Sequence, residues 1–152
     1  MSQSTKLQNL HATALTIGDR GVLIRGESGS GKTALALALI ASAHSAGRNA
    51  RLVSDDQVLL SPCDGRLICT VPTTISGLVE VRGATPKAIH HEPSAIIDVL
   101  VDLVEAAHAP RFCEEQWEVI AGCRLPLVKL AARNVHGALP ALGAHLSLPP
   151  FV

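Results

Sequence analysis

The stretch Gly26-Glu27-Ser28-Gly29-Ser30-Gly31-Lys32-Thr33 decides the fold of this 152-residue chain. It has the G-x-x-x-x-G-K-[ST] spacing of a phosphate-binding loop, or P-loop. The apolar run 21–24 precedes it, and a stretch rich in alanine and leucine follows it. Its glycines permit a tight turn that directs backbone N–H groups at phosphates, and the following helix adds its positive end. The motif therefore predicts a strand, a phosphate-binding loop and a helix, in that order.

The P-loop residues have separate expected roles. Lys32 is placed to reach the β- and γ-phosphates of a nucleotide, and the Thr33 hydroxyl is placed to coordinate Mg²⁺. A glycine- and serine-rich linker before a helix is the competing interpretation, but the strand and helix that the motif requires are present on both sides. We therefore expect residues 26–33 to bind ATP and Mg²⁺.

The composition favours a single P-loop domain spanning residues 1–152. Apolar residues make up 47% of the chain, enough for a core of ordinary size. The formal net charge is zero, and the chain has no tyrosine, one tryptophan and two phenylalanines. A neutral chain with so few aromatic residues lacks the signals of nucleic-acid binding or attraction to an anionic membrane.

Location and cysteine chemistry follow from two further patterns. Residues 1–9 are polar, and no apolar run is long enough to cross a bilayer, so we expect a cytoplasmic protein. The cysteines never form C-x-x-C and have neither zinc-ribbon nor disulfide-framework spacing. They are therefore expected to be free thiols, mostly buried. These cysteines are Cys63, Cys69, Cys113 and Cys123.

The rest of the chain alternates short strands with two or three helices, which predicts an α/β fold with a mixed sheet and few helices. Strands are predicted over 15–17, 22–24, 51–53, 58–60, 67–71, 96–104 and 125–130. Helices are predicted over 32–46, with Gly47 as C-cap, over 114–121 and over 135–145. Turn residues at 18–21 and 61–66 predict two hairpins.

Acidic residues at strand ends are candidates for the chemistry. Asp55 and Asp56 follow the strand at 51–53, where one carboxylate could help hold Mg²⁺ and the other accept a proton from an attacking hydroxyl. Alternatively, Asp102 closes a pattern similar to a Walker B motif, with Asp98 interrupting the apolar run. The residues alone leave both options open.

Two further features resemble bacterial HPr kinase/phosphorylase, which phosphorylates a regulatory serine of the phosphocarrier protein HPr. His11 lies 15 residues before Gly26, and Gly77-Leu78-Val79-Glu80-Val81-Arg82-Gly83 follows the Asp-Asp pair. The order His, P-loop, Asp-Asp, Glu-x-Arg-Gly is that of the family. The resemblance covers roughly 10–130 and implies a form that has only the catalytic domain. It also implies a fold similar to phosphoenolpyruvate carboxykinase, HPr as partner and a homo-hexamer.

The resemblance also implies a role for individual residues. Lys32 and the P-loop amides would hold the phosphates, and Thr33 and Glu80 would ligate Mg²⁺. The residues alone favour the interpretation of Glu80 as a surface carboxylate that pairs with Arg82. The other histidines are expected to be surface or satisfied side chains.

Four residues are implicated in phosphoryl transfer by the same resemblance. Asp55 would deprotonate the substrate serine and act as the acid in the reverse reaction, with Asp56 beside it. His11 would lie near the phosphates. Arg111, after the strand at 96–104, takes the place of a family arginine that neutralises transferring charge.

The chain also departs from the family pattern. Ala131-Ala132-Arg133-Asn134 replaces the loop Pro-Gly-Arg-Asn that is tied to dephosphorylation in the family, and the stretch 84–93 lacks the family's glycine-rich continuation. Phosphorolysis of phosphoseryl-HPr is therefore a separate expectation from kinase activity. A small-metabolite kinase and a non-catalytic nucleotide-binding module remain as alternatives.

Overall fold

A computed structural model describes residues 7–111 and 114–151. Over these residues the chain forms two helices and eleven strands, joined by turns and short 3-10 segments. The helices are α1 (Lys32–Ser45) and α2 (Val135–His145). The strands are β1 (Gln8–Leu10), β2 (Ala12–Ile17), β3 (Arg20–Arg25), β4 (Ala50–Ser54), β5 (Val58–Cys63), β6 (Arg66–Thr70), β7 (Leu78–Val79), β8 (Lys87–Ala88), β9 (Ser94–Val104), β10 (Gln116–Ile120) and β11 (Cys123–Ala131).

Nine strands form one mixed sheet, which confirms the predicted α/β class. Its main path runs β1-β5-β6-β9-β3-β2-β4; β11 also pairs with β9, and β10 pairs with β11. β3, β9 and β11 are mutually parallel, whereas the other pairs in this sheet are antiparallel. Because parallel strands end at the same edge of a sheet, the loops that follow β3, β9 and β11 meet there. The short β7 and β8 strands form a separate hairpin.

The two predicted hairpins are confirmed. β2 pairs with β3 across the turn that contains Gly18, and β5 pairs with β6 across Asp64 and Gly65. Asp64 and Gly65 have φ values of 51° and 76°, so both are left-handed, as a two-residue turn between twisted strands requires. The turn residues alone were enough to locate these hairpins.

Helix α1 confirms the helix predicted after the P-loop. It ends where Gly47 adopts a φ of 73°, and the Gly47 and Arg48 amides donate to the carbonyls of His44 and Ala43. A glycine here relieves the strain that a side chain would meet in the left-handed conformation. The predicted strands at 96–104 and 125–130 and the predicted helix at 135–145 are also present, as β9, β11 and α2.

Side chains on the two faces of the sheet form two apolar cores. On one face, residues such as Leu15, Ile24 and Val101 pack against α1 and α2. On the other face, Leu23 and Leu100 pack with apolar residues of β5, β6 and β11, because the sheet curls around that side. The alternation along each strand assigns neighbouring residues to opposite cores.

The helix predicted over 114–121 is wrong, because this segment forms the strand β10. Its residues alternate: Trp117 and Val119 are exposed, whereas Glu118 and Ile120 are partly buried. Ala121 and Gly122 then take φ values of 50° and 78° and turn the chain into β11. The glutamates at the start suggested a helix, but tryptophan, valine and isoleucine favour a strand. The ring of Trp117 stacks on Arg124, with 4.3 Å between the guanidinium carbon and the ring centroid.

The described cysteines agree with the prediction of free thiols. Cys69 and Cys123 are buried and Cys63 is exposed, whereas Cys113 lies outside the described residues. Burial raises the pKa of the Cys69 thiol to about 12, so this side chain stays a neutral core residue. Among the described helices, none has both the length and the apolar character to cross a membrane.

Candidate active site

The P-loop connects β3 to α1 and depends on its glycines. Gly29 and Gly31 have φ values of 81° and 97°, which only glycine adopts without strain. A Cβ atom on Gly26 would lie 2.4 Å from the Ser30 hydroxyl oxygen and 3.1 Å from the Leu103 Cβ. The backbone of this loop therefore depends on glycine at these three positions.

Lys32 folds back over the P-loop. Its Nζ donates to the carbonyl oxygens of Gly26 at 2.8 Å and Glu27 at 3.2 Å, and the residue is only 6% exposed. Neutral carbonyls compensate a buried ammonium only in part, so this charge remains available to a phosphate. The role expected for Lys32 toward the phosphates stays a prediction.

Ser30 places an unsatisfied hydroxyl inside the same loop. The residue is 2% exposed, and its Oγ has no hydrogen-bond partner among the described residues. Its backbone is held on both sides, because its N–H donates to Glu27 O at 3.0 Å and its carbonyl accepts from the Arg133 N–H at 2.8 Å. Buried polar groups are rarely left unpaired, which marks Ser30 as part of a polar site.

Asp55 is the carboxylate that meets the P-loop. It follows β4, is 6% exposed and accepts a hydrogen bond at 2.7 Å from the Thr33 hydroxyl. The Thr13 hydroxyl donates to the same oxygen at 3.2 Å, and the Glu80 N–H donates to the other oxygen at 3.3 Å. One carboxylate thus joins the P-loop, the strand end and the Glu-x-Arg-Gly segment.

Asp56 and His11 form an exposed pair beside Asp55. Asp56 has a φ of 69°, and its carbonyl accepts from the Ala12 N–H at 3.1 Å; its side chain is exposed, whereas Asp55 is buried. His11 Nε2 contacts the Asp56 carboxylate. The structure therefore brings His11 to the Asp-Asp pair, and its expected place near the phosphates stays a prediction.

Glu80 directly follows β7, at the start of the connection to β8, and it is exposed. The base of this hairpin is closed by His91, whose Nε2 lies 3.0 Å from the Ser76 hydroxyl. Gly77, with a φ of 71°, fits against this ring: a Cβ there would lie 2.8 Å from two of its atoms. The contacts of His91 with Gly77 and Ser76 therefore hold the start of the β7–β8 hairpin.

Asp102 is engaged elsewhere. Arg25 donates to its two oxygens at 2.7 and 2.9 Å, and also donates to Glu118 at 2.8 Å. The hydrogen bond from Arg25 is the main cause that lowers the pKa of Glu118. Burial lowers the pKa of the Arg25 guanidinium, but Glu118 and Asp102 outweigh this effect and raise it. The geometry therefore favours Asp55 over Asp102 as the acidic partner of Thr33.

Two arginines in the loops after β9 and β11 differ in what the structure shows of them. Arg111 is exposed in the segment after the 3-10 turn Ala106–His108, and its role remains a prediction. Arg133 has its backbone bonded to Ser30, and its guanidinium lines a cleft of about 500 Å³ beside the P-loop. The structure thus adds an arginine that sequence reasoning did not assign to the site.

Two other contributors were missed for identifiable reasons. Thr13 is one of two threonines in the otherwise apolar strand β2, two residues after His11, and nothing in its residue type distinguished it from Thr16. The Arg25 contacts join β3, β9 and β10, which is a tertiary arrangement without a sequence spacing. For metal binding, no group of three His, Cys, Asp or Glu side chains that could hold an ion occurs in the described part of the chain.

Comparison with known proteins gives consistent matches. The family model described as HPr Serine kinase C-terminal domain matches residues 2–86. HPr kinase/phosphorylase of Clostridium kluyveri is 45% identical over 112 residues, which are 72% of this chain and 32% of that protein. The enzyme of the same name from Clostridium tetani is 43% identical over 74 residues, covering 49% of this chain and 22% of that protein. This chain therefore spans a third or less of the length of these relatives.

A solved structure extends the match to nearly the whole chain. The Hpr(Ser) kinase/phosphatase from Coxiella burnetii superposes with a TM-score of 0.76 at 26% sequence identity. The match covers 93% of this chain and 97% of the Coxiella chain.

Proposed function

This chain belongs to the HPr serine kinase C-terminal domain family, and from that premise we propose that it is an ATP-dependent protein-serine kinase acting on HPr. The observation that carries the proposal is the contact between Asp55 and Thr33, at 2.7 Å. Through the Glu80 N–H, the same carboxylate also reaches the Glu-x-Arg-Gly segment. The three motifs that single out the family thus meet at one side chain.

The P-loop supplies the nucleotide site in this proposal. Its backbone amides and the N-terminal end of α1 provide donors and positive potential for the phosphates of ATP. Lys32 exchanges its two carbonyl partners for phosphate oxygens, which is favourable because a charged pair replaces contacts with neutral groups. The buried hydroxyl of Ser30 is a further donor in the same loop.

The donor set also fits Mg²⁺. This ion prefers hard oxygen ligands and usually takes one or two carboxylates together with substrate phosphates and water. Thr33 and Glu80 would hold it, with Asp55 bonded to the Thr33 hydroxyl and to the Glu80 amide. When bound, Mg²⁺ supplies charge neutralisation on the transferring phosphoryl group.

Asp55 acts as the general base in this reaction. A serine hydroxyl is a poor nucleophile, so a carboxylate within hydrogen-bond reach must accept its proton as the new O–P bond forms. Arg111 neutralises transferring charge, and His11 with Asp56 lines the approach beside the base. In phosphorolysis, Asp55 returns the proton to the serine oxygen while inorganic phosphate accepts the phosphoryl group.

The hexameric assembly that the resemblance implied and the cytoplasmic location that the sequence pattern predicted belong to the same proposal. Analytical ultracentrifugation of the purified chain tests the assembly, and a monomer at micromolar concentration would contradict it.

Incubation with γ-labelled ATP, Mg²⁺ and purified HPr tests the function. Label on HPr, and none on HPr whose acceptor serine is replaced by alanine, is the expected result. Label on a small molecule, or nucleotide binding without transfer, would favour the alternative functions instead. Lys32→Ala should lower transfer by on the order of 10²-fold or more while the protein remains folded, because the lysine serves phosphate.

Asp55→Asn separates catalysis from binding. This variant keeps the side-chain shape but cannot accept a proton, so transfer should fall by roughly 10² to 10⁴ while ATP still binds. Asp56→Asn is the matched control and should have a milder effect. Near-normal transfer by Asp55→Asn, or loss of all nucleotide binding, would show that Asp55 is not the base.

A further inference from the structure

Arg133 is fixed to the P-loop through its backbone. β11 ends at Ala131, the Ala132 N–H donates to Val104 O at 2.7 Å, and the Arg133 N–H donates to Ser30 O at 2.8 Å. Arg133 has a φ of 56°, so the chain turns sharply at this residue before α2 begins. The start of its side chain therefore has a set position relative to the loop.

The guanidinium of Arg133 is held by one exposed carboxylate. Its Nη2 donates to the two oxygens of Glu105 at 2.7 and 2.9 Å, and the side chains of Arg133 and Glu105 are 55% and 62% exposed. Both residues line the cleft of about 500 Å³ that the P-loop residues Gly26, Glu27 and Ser30 also line. The cation thus lies beside the phosphate-binding loop, on the opposite side of β3 from β2 and β4.

Electrostatics agree with this placement. The hydrogen bond that Arg133 donates to Glu105 is the main cause that raises the pKa of Arg133, and the charge of Glu27 acts in the same direction. Glu27 is the second residue of the P-loop. The guanidinium is therefore within electrostatic reach of the loop even while Glu105 holds it.

Arg25 provides a comparison, because its guanidinium is held more firmly than that of Arg133. Its side chain is 22% exposed and is bonded to two carboxylates, Asp102 and Glu118. Arg133 has one exposed carboxylate, and exposed ion pairs are weak. The same planar guanidinium can donate to a phosphate group, which has more oxygens and more negative charge than one carboxylate.

We propose that Arg133 binds a phosphate group of the nucleotide, and that Glu105 competes for the same guanidinium. This inference rests on the proposed function, since it requires ATP in the P-loop. Only the side chain has to move, because the backbone of Arg133 is already bonded to Ser30. Glu105 thus weakens the hold on the phosphates.

Opposite effects of two substitutions test the proposal. Glu105→Gln removes the competing charge, so ATP should bind roughly two- to fivefold more tightly, the range of an exposed ion pair. Arg133→Met keeps the length but removes the charge, so ATP should bind about tenfold more weakly. In the Arg133→Met background, Glu105→Gln should have no effect. Isothermal titration with Mg²⁺ present measures all four proteins, and their thermal unfolding confirms that each is folded.

Several outcomes would overturn the inference. If the pair only joins two loops, both substitutions weaken binding alike. If the wild-type chain binds ATP through Lys32 but Arg133→Met binds it equally well, only the role of Arg133 is overturned. Failure of the wild-type chain to bind ATP would overturn the proposed function as well.

Discussion

Replacing Arg25 by methionine tests how the entrance to the P-loop is held. Arg25 is the residue before Gly26, and it joins β3 to Asp102 on β9 and Glu118 on β10. Methionine fills a similar volume but leaves two carboxylates facing each other without a cation. We therefore expect Arg25→Met to destabilise the fold and to loosen the β10–β11 hairpin.

The expected size of the effect follows from burial. Breaking a fully buried ion pair costs about 3–5 kcal/mol, whereas an exposed pair contributes about 0–1 kcal/mol. The side chains of Arg25, Asp102 and Glu118 are 22%, 21% and 35% exposed, between these limits. We expect a loss of about 2 kcal/mol at neutral pH. This corresponds to a fall in melting temperature of roughly 4 to 8 °C for a chain of this length.

The loss should depend on pH. Because Arg25 lowers the pKa of Glu118 in the folded state, this pair stabilises the fold above the unfolded value, about 4.3. The stabilisation disappears as the pH falls through the lower folded value. The difference between wild type and Arg25→Met should therefore be largest near neutral pH and shrink in acid.

Urea unfolding at about pH 7 and about pH 3.5 measures this difference on both sides of the unfolded value. Arg66→Met is the matched control, because Arg66 is 62% exposed and lies 3.8 Å from Asp98. It should cost little at either pH. The reasoning is refuted if Arg25→Met costs no more than the control, or if its cost is the same in acid.

Two other predictions concern the metal and the hairpin that carries Glu80. Glu80→Gln should shift the Mg²⁺ dependence of transfer to higher concentration. Because Arg25 holds the carboxylate of Asp102, Asp102→Asn should change stability more than Mg²⁺ dependence. The reverse ranking in a Mg²⁺ titration would contradict the assignment of Glu80 to the metal. Gly77→Ala should lower both melting temperature and transfer more than Gly65→Ala, since both glycines have positive φ but only Gly77 faces a ring, that of His91. In a His91→Ala background the cost of Gly77→Ala should fall to that of Gly65→Ala, and an unchanged cost would mean that the ring does not set the hairpin.

Local signals predicted the parts of the fold that local chemistry decides. The P-loop spacing located α1, and Asp64-Gly65 located one of the hairpins, because turns and helix ends depend on a few neighbouring residues. Segment 114–121 was assigned as a helix because its glutamates favour helices. Its pairing with β11 and the contact of Glu118 with Arg25 override that preference.

The candidate site divides in the same way. The position of Asp55 at a strand end made it a candidate site residue, and the structure places its carboxylate in contact with the Thr33 hydroxyl. Thr13 and Arg133 reach the site through the sheet: β2 lies between β3 and β4, and β11 is parallel to β9. No spacing along the chain encodes such neighbours, so only the folded structure identifies them.

The stacked ring of Trp117 gives the chain a built-in optical reporter. It is the single tryptophan of a chain without tyrosine, so near-ultraviolet emission arises from one place. Trp117 is next to Glu118, which accepts a hydrogen bond from Arg25. Arg25 is the residue immediately before the P-loop. The ring is 45% exposed and rests on Arg124, so a small displacement of β10 changes the environment of the indole. Emission from the unlabelled protein can therefore follow events at the loop in real time.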